Sequence, residues 1–156
     1  MIDHIDSGGA ERILLDYYFH LISCGDEVKV FVITGTRGKS KWTDGISILY
    51  GHSGDVNNVL KKAFQQLSAY SKFKRLVKSF HPDVIFSFLE KSNLLTSRVP
   101  TRAKKIMTVH NVLSLQYMKV HDPIVRKLVY AMIRRAYNRC LNIVAVSKQV
   151  KDDLIY

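Results

Sequence analysis

Short apolar runs alternate along this chain with longer stretches in which apolar residues recur every three or four positions. Ile2 to Ile5 has the length of a clipped strand. From Ala10 to Ser23, Ile13, Leu14, Tyr17, Tyr18 and Leu21 fall at helical spacing, and Gly25 supplies the stop. Val28 to Ile33 is rich in β-branched residues and reads as a strand, and Ile46 to Leu49 as a shorter one. Leu60, Phe64, Leu67, Tyr70, Val77 and Phe80 then repeat near a 3.6-residue period. That stripe predicts a long amphipathic helix with its lysines and arginine mostly off the apolar side, closed by Pro82.

The second half continues the alternation. Asp83 to Phe88, Lys105 to Val109 and Asn142 to Val146 read as strands. Asp122-Pro123 is an N-cap followed by proline at the first helical position, which opens a helix to about Arg139, and a last helix begins at Ser147. Strands separated by helix-length segments imply right-handed βαβ crossovers. The expected fold is therefore α/β, a Rossmann-like, doubly wound and mostly parallel sheet with helices on both faces. No repeat or linker divides the chain, so residues 1–156 read as a single domain. In such sheets ligands bind beyond the carboxyl ends of the strands. Ser7-Gly8-Gly9, Glu90, His110-Asn111 and Ser147 each follow a strand, and together they predict a cleft along that rim.

Composition adds a bias in charge. The chain has 24 Lys+Arg against 13 Asp+Glu, a formal +11, which favours polyanionic partners or simply a solvated basic face. Cys24 and Cys140 are the two cysteines; they form no CxxC and read as buried thiols of a reducing compartment. No apolar stretch approaches a membrane span and the polar start is no signal peptide, so the expected location is the cytoplasm, with any membrane contact peripheral.

Ser7-Gly8-Gly9-Ala10-Glu11-Arg12 sets two glycines between a strand and a helix start. There the unpaired amides and the positive helix end suit an anion, and glycine allows close approach; a plain capped turn explains the same residues. The GxGxxG fingerprint is absent, which argues against a nicotinamide enzyme. Gly35-Thr36-Arg37-Gly38-Lys39-Ser40 ends in GKS, but a P-loop would need glycine at Ile33. The histidines form no HxxxH pair and there is no GxSxG, so neither a metal site nor a serine hydrolase is expected. His110, where a strand leaves the sheet, suits hydrogen bonding to a sugar hydroxyl or phosphate. On the helix after Pro123, Arg135 and Arg139 fall in the apolar sector of Ile124, Leu128 and Met132. Either their stems pass the core edge, or they meet an anion such as an anionic lipid surface.

Four pieces in order resemble glycosyltransferase family 4, whose GT-B fold sets two Rossmann-like domains across a cleft. They are Ile5-Asp6-Ser7-Gly8-Gly9-Ala10-Glu11-Arg12, His81-Pro82-Asp83-Val84-Ile85, Thr108-Val109-His110-Asn111 and Val144-Ala145-Val146-Ser147. The resemblance covers nearly the whole chain and matches the family's N-terminal domain. It implies retaining transfer from a nucleotide-sugar to a glycan or lipid-linked acceptor, as in cell-surface polysaccharide synthesis, with the nucleotide-sugar as substrate and no cofactor or metal. Gly8 and Gly9 would approach the donor diphosphate, His110 would lie near the transferred sugar, and Ser147 would be mainly structural. Glu90 and Asn111 are substrate candidates on the same rim.

The chain departs from the family in a first strand that is short at the front and in its glutamates. The donor-gripping half carries two glutamates with seven residues between them, whereas Glu11, Glu27 and Glu90 are the only glutamates here. The expectation is an acceptor-side half that is inactive alone and works with a separate donor-binding domain or subunit. The competing expectation is a non-catalytic acceptor- or membrane-binding subunit. A nucleic-acid partner has the charge in its favour but no recognised module.

Overall fold

The computed structural model describes residues 1–5, 8–35, 46, 48–52, 59–118 and 122–155. Its chain falls into two compact units, Met1–Pro82 and Asp83–Tyr156. In the first, helix α1 (Gly9–Ser23) leads into strand β1 (Val30–Thr34), which pairs in parallel with β2 (Ile48–His52). Helix α2 (Val59–Phe80) follows. The expected strand at Ile2 is a single parallel bridge to Val32: the Ile2 N–H donates to the Phe31 carbonyl, and the Ile33 N–H donates to the Ile2 carbonyl.

Gly25 stops α1 as its position suggests. Its φ of +89° lets the Gly25 and Asp26 amides turn back onto the Ile22 and Leu21 carbonyls. Cys24 is the C-cap residue of that end and is exposed, while Cys140 is half-buried, so the expectation of two buried thiols is corrected.

The apolar stripe read along α2 is only half right. Val77 is buried, but Leu60, Phe64 and Leu67 face outward, and the buried side is Ala69, Phe73 and Val77. Ala69 lies roughly 180° round the helix from Leu60. The side that wins is the one whose shapes fit the sheet. Phe73 meets Phe31 with ring centroids 5.3 Å apart, and Ala69 presses on Gly51 of β2. The Lys72 ammonium also reaches the Gly51 carbonyl, at 2.8 Å.

In the second unit three strands lie in consecutive order, all parallel: β3 (Val84–Phe88), β4 (Lys104–Val109) and β5 (Asn142–Ala145). Helix α3 (Glu90–Arg98) joins β3 to β4, and α4 (Leu113–Met118) and α5 (Pro123–Tyr137) join β4 to β5. Helix α6 (Lys148–Ile155) follows. Met107, Val109, Leu113, Ile133, Ala136, Tyr137 and Val150 form the core. Asp122 caps α5 as expected, its carboxylate accepting from the Ile124 and Val125 amides at 2.8 and 3.1 Å. The helix ends at Tyr137, so Arg139 lies beyond it. The expected apolar sector of Ile124, Leu128 and Met132 is exposed, because Ile133, Ala136 and Tyr137 make the buried side. Parallel strands alternating with flanking helices give the Rossmann-like α/β class.

Gly51 is a steric requirement. A Cβ there would lie 2.6 Å from the Ile33 carbonyl oxygen and 2.8 Å from Ala69 Cβ, neither of which can swing aside. Gly51→Ala is therefore expected to cost about 1–3 kcal/mol of stability, measured by urea denaturation. An unchanged midpoint would contradict this packing of α2 on β2.

Candidate functional site

Three adjacent parallel strands of the second unit end on one edge, and polar residues follow each of them. Beyond β3 comes Glu90, beyond β4 come His110 and Asn111, and beyond β5 comes Ser147. The rim expected from the sequence thus exists for these four. Ser147 caps α6, accepting from the Val150 amide at 3.2 Å, which is the structural part expected of it.

Glu90 opens α3 and is buried, 8% exposed. A carboxylate at the first position of a helix meets the positive end of its dipole. The Asn111 amide donates to both of its oxygens, at 3.2 and 3.5 Å. The residue before it, Leu89, has a φ of +73°, a region that side chains avoid. Such a backbone stores about 1–3 kcal/mol and persists only where surroundings over-determine it. Here the Asn93 N–H holds the Leu89 carbonyl at 3.0 Å.

His110 is half-buried, its ring tilted against Phe88 with centroids 6.0 Å apart. Its Nε2 lies 3.0 Å from the Thr108 hydroxyl, which also lies 2.9 Å from the Ser87 carbonyl. A hydroxyl has one proton, and a carbonyl can only accept. The Thr108 proton is therefore committed to Ser87, and toward His110 the hydroxyl accepts. Neutral His110 accordingly presents an Nε2–H to that hydroxyl.

Thr108 belongs to a buried network that sequence reasoning missed. The Ser87 hydroxyl donates to Asn93 Oδ1 at 2.7 Å, and Asn93 Nδ2 donates to the Thr108 carbonyl at 3.0 Å and to the Tyr137 hydroxyl at 3.2 Å. Helix α3 itself went unread, because beside Leu95 its most deeply buried residues are polar, Ser92, Asn93 and Thr96, each 0% exposed. Only the polar spacing of those residues could have signalled it.

In the first unit Gly8 caps α1 with an ordinary φ of −91°, and Gly9 opens the helix. A Cβ at position 8 would meet the far end of the Glu11 side chain, which can swing aside, and at Gly9 it would meet nothing within 4 Å, so neither position requires glycine for space. Glu11 is buried, and its Oε1 lies 3.5 Å from His4 Nε2. A carboxylate from the helix's own first turn thus already stands against its start. Ser7 lies outside the described residues, as does the segment from Thr36 to Gly45 that carries the GKS. Arg135, in the last turn of α5, and Arg139, beyond it, are both exposed.

Thr108→Val removes the group that fixes the His110 proton. At a pH where the ring is neutral, nitrogen-15 spectra of His110 should change from the Nε2–H form to a mixture, while Thr108→Ser keeps it. Losing this buried hydroxyl bond should also cost about 0.5–1.5 kcal/mol. An unaltered His110 spectrum in the valine variant would show that another group sets the tautomer.

No curated protein matches the chain significantly. A family model described as Glycosyltransferase Family 4 matches residues 7–156. That span takes in the second unit whole and the first from residue 7, every element from α1 onward, and all of the rim residues described above. The chain belongs to glycosyltransferase family 4, with the general role in transferring sugar from a donor to an acceptor that this membership carries.

Proposed function

We propose that residues 1–156 form the acceptor-side half of a retaining, hexosyl-type glycosyltransferase. It would use a nucleotide-sugar donor and a glycan or lipid-linked acceptor of cell-surface polysaccharide synthesis, at the cytoplasmic face of a membrane. The observation that carries this is the meeting of Glu90, Asn111 and His110 at the carboxyl ends of β3 and β4. Sugars offer hydroxyls that both donate and accept. Glu90 supplies a buried carboxylate, Asn111 an amide with both capacities, and His110 an imidazole of the kind that bonds sugar hydroxyls. Gly8 and Gly9 are assigned to the donor diphosphate, which would have to share the start of α1 with Glu11 or displace it. The diphosphate belongs to a substrate, and this assignment involves no cofactor or metal.

The glutamate pair of the family's donor-gripping half is not among residues 1–156. Turnover is therefore assigned to these residues only together with a donor-binding domain or subunit. The exposed Arg135 and Arg139 are assigned to phosphates at an anionic membrane surface, where a lipid-linked acceptor would lie. They also favour a second reading, in which the chain binds acceptor and membrane and recruits a catalytic partner. Among the described residues no helix is long and apolar enough to cross a membrane.

Backbone amide spectra of residues 1–156, titrated with panels of oligosaccharides and nucleotide-sugars, test the assignment. Oligosaccharides should move Glu90, His110 and Asn111, and nucleotide-sugars Gly8 and Gly9. Glu90→Gln and His110→Ala should each weaken oligosaccharide binding about tenfold or more. Where the chain turns over with its donor-binding half, His110→Ala should lower the rate roughly 100-fold or more. Shifts confined to other surfaces, or turnover indifferent to His110, would remove these residues from the site.

A further inference from the structure

The outer side of α2 is divided along its length. Its first half presents Leu60, Phe64 and Leu67, which are 80%, 74% and 67% exposed. The next turns on the same side present Ser71, Lys74, Arg75 and Lys78, all exposed. At 100° per residue these seven positions share a sector roughly 100° wide. The helix carries Lys61, Lys62, Lys72, Lys74, Arg75 and Lys78 and no aspartate or glutamate at all. In its own unit α5 repeats the composition, with Ile124, Leu128 and Met132 exposed, Lys127, Arg134 and Arg135 exposed, and no carboxylate.

The two halves of that side restrict what can cover it. A nucleic acid offers phosphates to the lysines but no apolar bed for a leucine and phenylalanine stripe. An apolar protein groove accepts the stripe and gives the cations no counter-charge. The surface of an anionic bilayer supplies both, headgroup phosphates above and acyl chains a few ångströms below. A helix tilted to that plane, with its first turns deeper, buries the apolar half and rests the basic half on the headgroups.

We propose that the outer side of α2 docks this chain on an anionic lipid bilayer. Leu60, Phe64 and Leu67 would enter the boundary between headgroups and acyl chains, and Lys74, Arg75 and Lys78 would sit against lipid phosphates. The inference rests on the peripheral-membrane part of the proposed function and is independent of sugar transfer.

The test uses the full chain with phosphatidylcholine vesicles, with or without phosphatidylglycerol. Phe64→Trp is placed in a Trp42→Phe background, since Trp42 is the only tryptophan. The chain should sediment with the anionic vesicles and far less with the neutral ones, and the tryptophan at position 64 should shift to the blue on binding. Leu60→Ser with Leu67→Ser should weaken partitioning about tenfold or more. Each basic residue near the surface contributes about fivefold. Lys74→Glu, Arg75→Glu and Lys78→Glu together should therefore weaken it well over tenfold and flatten its salt dependence. Circular dichroism and unchanged oligosaccharide shifts at His110 would show that the variants are folded and that the sugar site is a separate matter. The proposal fails if the chain ignores both vesicles, binds both equally, or shows no blue shift at position 64. It also fails if the serine variant instead abolishes a concentration-dependent dimer, which would assign the face to a second copy.

Discussion

The amide of Asn93 is wholly buried, and burying it is tolerable only because each end of it finds a partner. Its oxygen accepts from Ser87 on β3, and its nitrogen donates to the Thr108 carbonyl on β4 and to Tyr137 on α5. One side chain on α3 therefore ties together two strands and a second helix. Because an unsatisfied buried polar group costs about 1–3 kcal/mol, these elements cannot slide against each other without orphaning several groups at once. That fixes the register of the edge on which Glu90, His110 and Asn111 stand. The same network reaches the histidine through Thr108, whose single proton decides which ring nitrogen carries the proton. Structure and chemistry at this rim are thus set by the same few hydrogen bonds.

A different economy governs the first unit. There the close contact of Gly51, Ile33 and Ala69 decides how α2 lies on the sheet, and it leaves a second apolar stripe facing outward. The charge excess noted at the outset is not evenly spread, since α2 alone holds six of the 24 basic residues and no acid. The start of α1 shows a related lesson in electrostatics. Its amides and dipole suit an anion, and the chain sets its own Glu11 against them. Any phosphate at that turn competes with a carboxylate tethered three residues away.

Much of the architecture was legible locally. Runs such as Val30–Ile33 and Val84–Phe88, the stop at Gly25, the cap at Asp122 and the break at Pro82 act within a few residues, so spacing alone reveals them. The parallel α/β class followed from their order, and so did the placement of Glu90, His110 and Ser147 after strand ends. Helix α3 escaped because its inner side is mostly polar, with Ser92, Asn93 and Thr96 beside Leu95, and apolar periodicity cannot detect it. Helix α2 was found, but with the wrong side inward over its first half.

By itself, then, the sequence determined the alternation of strand and helix and the ordered motifs that mark the family, because torsional preference and capping are properties of neighbouring residues. Tertiary structure alone decided which of two stripes α2 buries, which polar side chains the core accepts, and which nitrogen of His110 carries the proton. Each of those outcomes depends on a surface or a hydrogen-bond partner supplied by a different element, often many residues distant, and no local pattern encodes it.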